Sequence, residues 1–109
     1  MAKTITLTYD GREYLLEYTR TTVAEMERRG FRASDIEDKP MLTLPALFSG
    51  AFLAHHRGTK ANVIDAIYKH IPEKEKFILA LGEMYNEPLE SLMEDPSEEE
   101  GNAAWSQSW

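Results

Sequence analysis

Ile5-Thr6-Leu7-Thr8-Tyr9-Asp10-Gly11-Arg12-Glu13-Tyr14-Leu15-Leu16-Glu17-Tyr18 is the stretch whose reading decides the fold. Asp10-Gly11 suits a type I′ turn, in which both central residues need a positive φ. That turn pairs Tyr9 with Arg12, Leu7 with Tyr14 and Ile5 with Leu16. Strand side chains alternate between faces, so Ile5, Leu7, Tyr14 and Leu16 share one face. Thr4, Thr6, Thr8, Glu13 and Glu17 share the other, with Leu15 the apolar exception. Turn and pattern agree on one register, and they predict a hairpin over residues 4–18. A two-stranded ribbon alone is marginal in water. It needs helices beneath it or a further strand at an edge.

Beyond the hairpin the chain reads as helical. Thr22-Val23-Ala24-Glu25 has capping-box spacing and Gly30 suits the left-handed residue that ends a helix, which predicts a first helix over about 22–29. Val23 and Met26 form its buried stripe, with Phe31 tucked in after the stop. Ser34 to Glu37 repeats the capping spacing, but Pro40 comes soon after, so one short turn and a connector are expected there. A second helix is expected over about 44–56, capped by Thr43 with Pro45 in its first turn. It is apolar nearly all round and therefore buried, either as plain core or with its Ser49-Gly50-Ala51 side against another subunit. Val63, Ile64, Ile67, Tyr68 and Ile71 give a third helix at about 60–70, ended by Pro72. A fourth runs over about 73–94, with Pro88 kinking it or opening a short fifth and with Leu89, Leu92 and Met93 facing inward. The fold class is α+β, mostly α: an N-terminal β-hairpin packed on a bundle of four to five short helices. Residues 1–95 form the single globular domain. Residues 96–109 form a flexible acidic tail, polar and aperiodic.

At 109 residues one domain is the default. The absence of cysteine removes disulfides and thiolate metal sites and fits a reducing cytoplasm. No apolar run approaches the roughly 20 residues needed to cross a bilayer, so no membrane partner is expected. Five of the acidic groups and none of the basic ones lie in residues 94–109, which leaves the rest of the chain at −2 out of a total of −7. Such a tail repels phosphate backbones, and nucleic acid is an unexpected partner.

No reactive constellation emerges. His55-His56 are neighbours that point about 100° apart on a helix and do not converge on one metal, and His70 joins them only through the tertiary fold. The carboxylates Glu25, Glu27, Glu83 and Glu90 fall on helix exteriors. Ser34, Ser49 and Ser91 sit in no nucleophile elbow, and there is no glycine-rich phosphate loop. The expectation is a non-enzymatic protein without catalytic residues, cofactor or metal. A helix-turn-helix regulator is the first alternative, with Lys60 and Asn62 opening a would-be recognition helix. Phe48, Phe52, Ile67 and Tyr85 are the candidate residues for holding an apolar partner helix. Trp105 and Trp109 are the candidate anchors of the tail, since tryptophan is enriched at interface hot spots.

Several stretches together resemble a family of small proteins from long-tailed phages of Gram-positive bacteria: Tyr9 to Tyr14, Tyr18 to Phe31, Leu47 to His56, Glu83 to Leu89, and Gly101 to Trp109. Members of that family are taken for tail assembly chaperones. The resemblance implies a factor of the host bacterial cytoplasm, absent from the mature virion. It would hold the phage tape-measure protein soluble and recruit tail-tube protein, acting as a homo-oligomer. It further implies that a frameshifted longer form accompanies many such proteins. A virion structural tail component is the other alternative.

Overall fold

A computed structural model of the chain describes residues 3–94 and 103–109. The first strand, β1, is Ile5–Tyr9 and the second, β2, is Arg12–Leu16. They pair antiparallel with Tyr9 opposite Arg12, Leu7 opposite Tyr14 and Ile5 opposite Leu16, the register expected from the turn. Asp10 at φ 51° and Gly11 at φ 76° both occupy left-handed space, as a type I′ turn demands. Gly11→Ala therefore puts a Cβ where the backbone disfavours one. The expected cost is about 1–2 kcal/mol, read as a lower urea midpoint with an unchanged slope.

Tyr14 and Leu16 are buried and Ile5, Leu7 and Tyr9 half-buried on the inner face, which joins a core cluster that draws residues from all the helices. The outer edge of β2 is closed by the chain itself. The Glu17 N–H donates to the Ala51 carbonyl at 3.1 Å, and the Leu15 N–H donates to His56 Nε2 at 2.9 Å. The backbone N–H groups of Thr6 and Thr8, on β1, have no such partner among the described residues.

Helix α1, Arg20–Arg28, starts two residues earlier than the Thr22 capping spacing suggested. Thr19 is its N-cap: its hydroxyl accepts from the Thr22 N–H at 3.1 Å, while Thr22 Oγ1 accepts from the Thr19 N–H at 2.9 Å. Thr22 thus completes the capping box, a role usually filled by Glu or Gln. Its C-terminus is as expected. Gly30 stands at φ 99°, the Phe31 N–H reaches the Met26 carbonyl and the Gly30 N–H that of Glu27. This is a Schellman closure, and it drops Phe31 into the core.

The short turn expected after Phe31 is a 3-10 turn, Ala33–Asp35. Helix α2 is Pro40–Gly50 rather than 44–56. Pro40 opens it, because at the first helical position its missing N–H is lost to no bond. Thr43, read as the cap, is buried inside it. Pro45 faces solvent in the second turn, and Met41, whose carbonyl Pro45 leaves without a helical donor, is 87 % exposed. The helix stops at Gly50, and residues 51–55 continue as turns. At that point the Ala51 carbonyl accepts from the Glu17 N–H, just past β2, rather than from a further helical turn.

Helix α3 is Ala61–Lys69 and helix α4 is Lys74–Met93. Pro88 neither ends α4 nor opens a fifth helix; it is buried within it, near α1. Leu89, Leu92 and Met93, expected inward, are exposed, because the last turns of α4 run past the elements that cover Tyr85 and Pro88. The core joins Tyr14, Leu16 and Tyr18 to Phe48 and Phe52, to Ile67, and to Leu81, Met84 and Tyr85.

The acidic run Glu98 to Glu100, part of the expected flexible tail, lies outside the described residues. Residues 103–109 form no helix or strand and are exposed. No helix among the described residues is long and apolar enough to cross a membrane.

Candidate interaction surface

The three histidines go to three different places. His55 Nε2 lies 2.7 Å from Glu17 Oε1. His56 uses Nε2 as an acceptor for the Leu15 N–H, and its ring stands 5.2 Å from that of Tyr14. His70 Nδ1 bonds the Ala66 carbonyl at 2.8 Å and its ring meets Tyr9. Each is committed to the junction between hairpin and helices or to its own helix. Among the described residues no group of three or more His, Cys, Asp or Glu side chains converges as a metal site.

A cleft of 790 Å³ lies between the end of α1, the segment 31–35, helix α2, the segment 51–59 and the start of α3. Met26, Phe48 and Phe52 form its floor, while Phe31, Leu42, Ile64 and Tyr68 line its walls. The floor exists because α2 packs against both α1 and α3 with Phe48 turned inward. The cleft wall is held by a carboxylate fork. Arg57 donates to both oxygens of Glu25, at 2.8 and 3.0 Å, and Arg29 reaches the same carboxylate at 2.6 Å. The Arg57 hydrogen bond, with the charges of Arg57 and Arg29, holds the Glu25 carboxyl below its ordinary range and raises Arg57. That contribution is present once unfolded carboxylates are ionised and is lost as pH falls through the lowered value of Glu25. The fork ties segment 51–59 to α1, two parts of the chain that sequence spacing does not connect.

Phe48, Phe52, Ile67 and Tyr85, the candidates for gripping a partner helix, are core residues with at most 5 % exposure. Phe48 and Phe52 reach the cleft only as its floor. Ile67 lies among the side chains beneath the hairpin, and Tyr85 stacks edge-on with Tyr18 and Phe31. The apolar surface open to a partner comes instead from Met41 and Leu42 on α2 and from Leu79, Leu92 and Met93 on α4, each more than half exposed. Leu42 is the one residue among these that also lines the cleft. Pattern reading missed this surface, because an apolar stretch that folds as a helix reads as buried on all sides.

On the Ser49-Gly50-Ala51 side, the alternative to plain core for the second helix, Gly50 and Ala51 are buried and Ser49 is half-buried. Ala51 is fully buried, and a Cβ on Gly50 would lie 2.5 Å from Met26 Sδ. Those small residues allow α1 and α2 to approach each other. Lys60 and Asn62 are exposed at the start of α3. Residues 51–60 separate α2 from α3, well beyond the three to four residues of a helix-turn-helix corner. Trp105 and Trp109 are 84 % and 95 % exposed.

The structure thus defines a small α+β domain with an aromatic-floored cleft between its helices. A family model described as a domain of unknown function, DUF5055, matches residues 1–109, and the chain belongs to that family. No curated protein and no solved structure matches it.

Proposed function

We propose that this protein is a phage tail assembly chaperone, acting without catalysis in the host bacterial cytoplasm and absent from the mature virion. In this reading it self-associates, keeps the tape-measure protein soluble and brings tail-tube subunits to it. The observation that carries the reading is the aromatic-floored cleft beside α2, with the exposed Met41 and Leu42 at its side. Apolar clefts between helices take up amphipathic or apolar helices, and a tape measure is a long chain of such helices that aggregates when alone. The net charge of −7 supports solubility of the loaded complex. The likeness of residues 9–14, 18–31, 47–56, 83–89 and 101–109 to tail assembly chaperones names the client.

Co-expression with the tape-measure protein of the same phage tests the proposal. A soluble complex in size exclusion with light scattering is expected, from a tape measure that is insoluble alone. Leu42→Glu, at a position 74 % exposed, is expected to leave the fold intact and reduce capture about tenfold or more by placing a charge at the contact. A tape measure that stays insoluble beside abundant folded protein counts against the reading.

A further inference from the structure

Charge on this chain is segregated. Residues 94–109 carry five acidic side chains and no basic one. The cleft is the reverse: Arg29, Arg32, Lys39 and Arg57 line it against Asp35 and Asp65. Arg29 and Arg57 share Glu25. Among the described residues Arg32 and Lys39 take part in no ion pair. A cationic rim over an aromatic floor therefore sits on a strongly acidic protein.

The C-terminal segment has the complementary chemistry. Its acidic run precedes Trp105 and Trp109, the only two tryptophans in the chain. Both stand almost fully exposed, clear of the body they belong to. Each indole has about 150–250 Å² to bury and prefers edge contacts with other rings, which the half-buried Tyr68 on the cleft wall offers beside Leu42 and Ile64. Four residues apart, the two tryptophans fall on one side of a helical turn, so a segment that winds on binding presents both to the same wall.

We propose that the cleft of one copy holds the C-terminal segment, residues 94–109, of a second copy, with Trp105 and Trp109 against Tyr68, Ile64 and Leu42 and the acidic run along Arg32 and Lys39. A second copy is the source because Trp105 and Trp109 stand exposed and not in the cleft of their own copy. The inference needs no client and stands apart from the chaperone reading. If both hold, a client helix must displace this segment to enter.

Because all the indole fluorescence comes from the segment, the full-length chain reports on itself. Emission and light-scattering mass are measured on one dilution series at low and high salt. The expected result is emission that moves to shorter wavelength as mass rises above the monomer. Both changes are expected to reverse in about 1 M salt, where the screening length falls to about 3 Å. Arg32→Glu with Lys39→Glu, both at exposed positions, is expected to weaken association about tenfold or more through like-charge contact. Trp105→Ser, far from the core, is expected to weaken it about 30-fold as a lost hot spot. Emission of exposed indole at every concentration would overturn the proposal. So would a short-wavelength emission at monomer mass, which places the segment in its own cleft. Association indifferent to the charge reversal would locate the contact elsewhere and also overturn it.

Discussion

Phe48→Ala is expected to remove about 3–5 kcal/mol of stability, the largest effect expected of a single substitution in this chain. Phe48 is 1 % exposed and its ring meets Phe52 at 5.1 Å, Tyr68 at 5.2 Å and Phe77 at 5.7 Å. It is the side chain where α2, α3 and α4 share one aromatic cluster. Truncation loses the transfer energy of the ring and leaves a cavity that three neighbouring rings are too rigid to fill. A domain of this size holds only about 5–15 kcal/mol in total, so the variant sits close to its unfolding threshold. Urea denaturation followed by circular dichroism measures the effect. An unchanged slope with a much lower midpoint is expected, and a loss below about 1 kcal/mol would mean that this cluster is not where the three helices meet. Leu42→Ala is the control: Leu42 is as apolar but 74 % exposed, and the expected change is within about 0.5 kcal/mol.

The second large effect is alkaline. Tyr18 is buried, its hydroxyl donates to the Leu47 carbonyl at 2.5 Å, and its ring meets Tyr85 edge-on at 5.3 Å. Burial first, and then the neighbouring Tyr85, push the Tyr18 phenol far above its ordinary value. Burial and the nearby Glu27 raise Tyr85 as well. The folded state therefore keeps protons that the unfolded state releases. The stabilisation is fully present below the unfolded tyrosine value of about 10 and declines as pH rises beyond it. Cooperative unfolding in that alkaline range is expected, with the absorbance of ionised tyrosine from Tyr18 appearing together with loss of helix signal. Tyr18→Phe is expected to cost about 1–3 kcal/mol at neutral pH, since the Leu47 carbonyl loses its donor, and to flatten the alkaline decline. A Tyr18 that titrates freely in the folded protein would contradict its burial.

These two residues also mark how far the candidate surface was legible in the sequence. Phe48 and Phe52 stand out by spacing, and they do reach the cleft, but from below. Their accessible neighbours are supplied by Leu42, Ile64 and Tyr68, from two separate helices, and by a rim of arginines whose placement depends on Glu25 bridging Arg29 and Arg57. No local pattern joins residue 25 to residue 57. The exposed Leu89, Leu92 and Met93 read as inward-facing because hydropathy records the character of a side chain and not whether a neighbour covers it.

Local chemistry alone determined the hairpin and the end of α1. Asp10-Gly11 admits one turn and therefore one register, and Gly30 admits the positive φ that closes a helix; both choices are made within a few residues, by steric limits on the backbone. The far end of α2 and the course of α4 were decided only in the tertiary structure. Residues 51–56 leave helical geometry where the Ala51 carbonyl and His56 Nε2 bond Glu17, just past β2, and Leu15 within it. Pro88 stays within α4, buried near α1. In each case the deciding partner lies more than thirty residues away along the chain, and a hydrogen bond or packed face at that separation is set by the assembled fold and not by its neighbours in sequence.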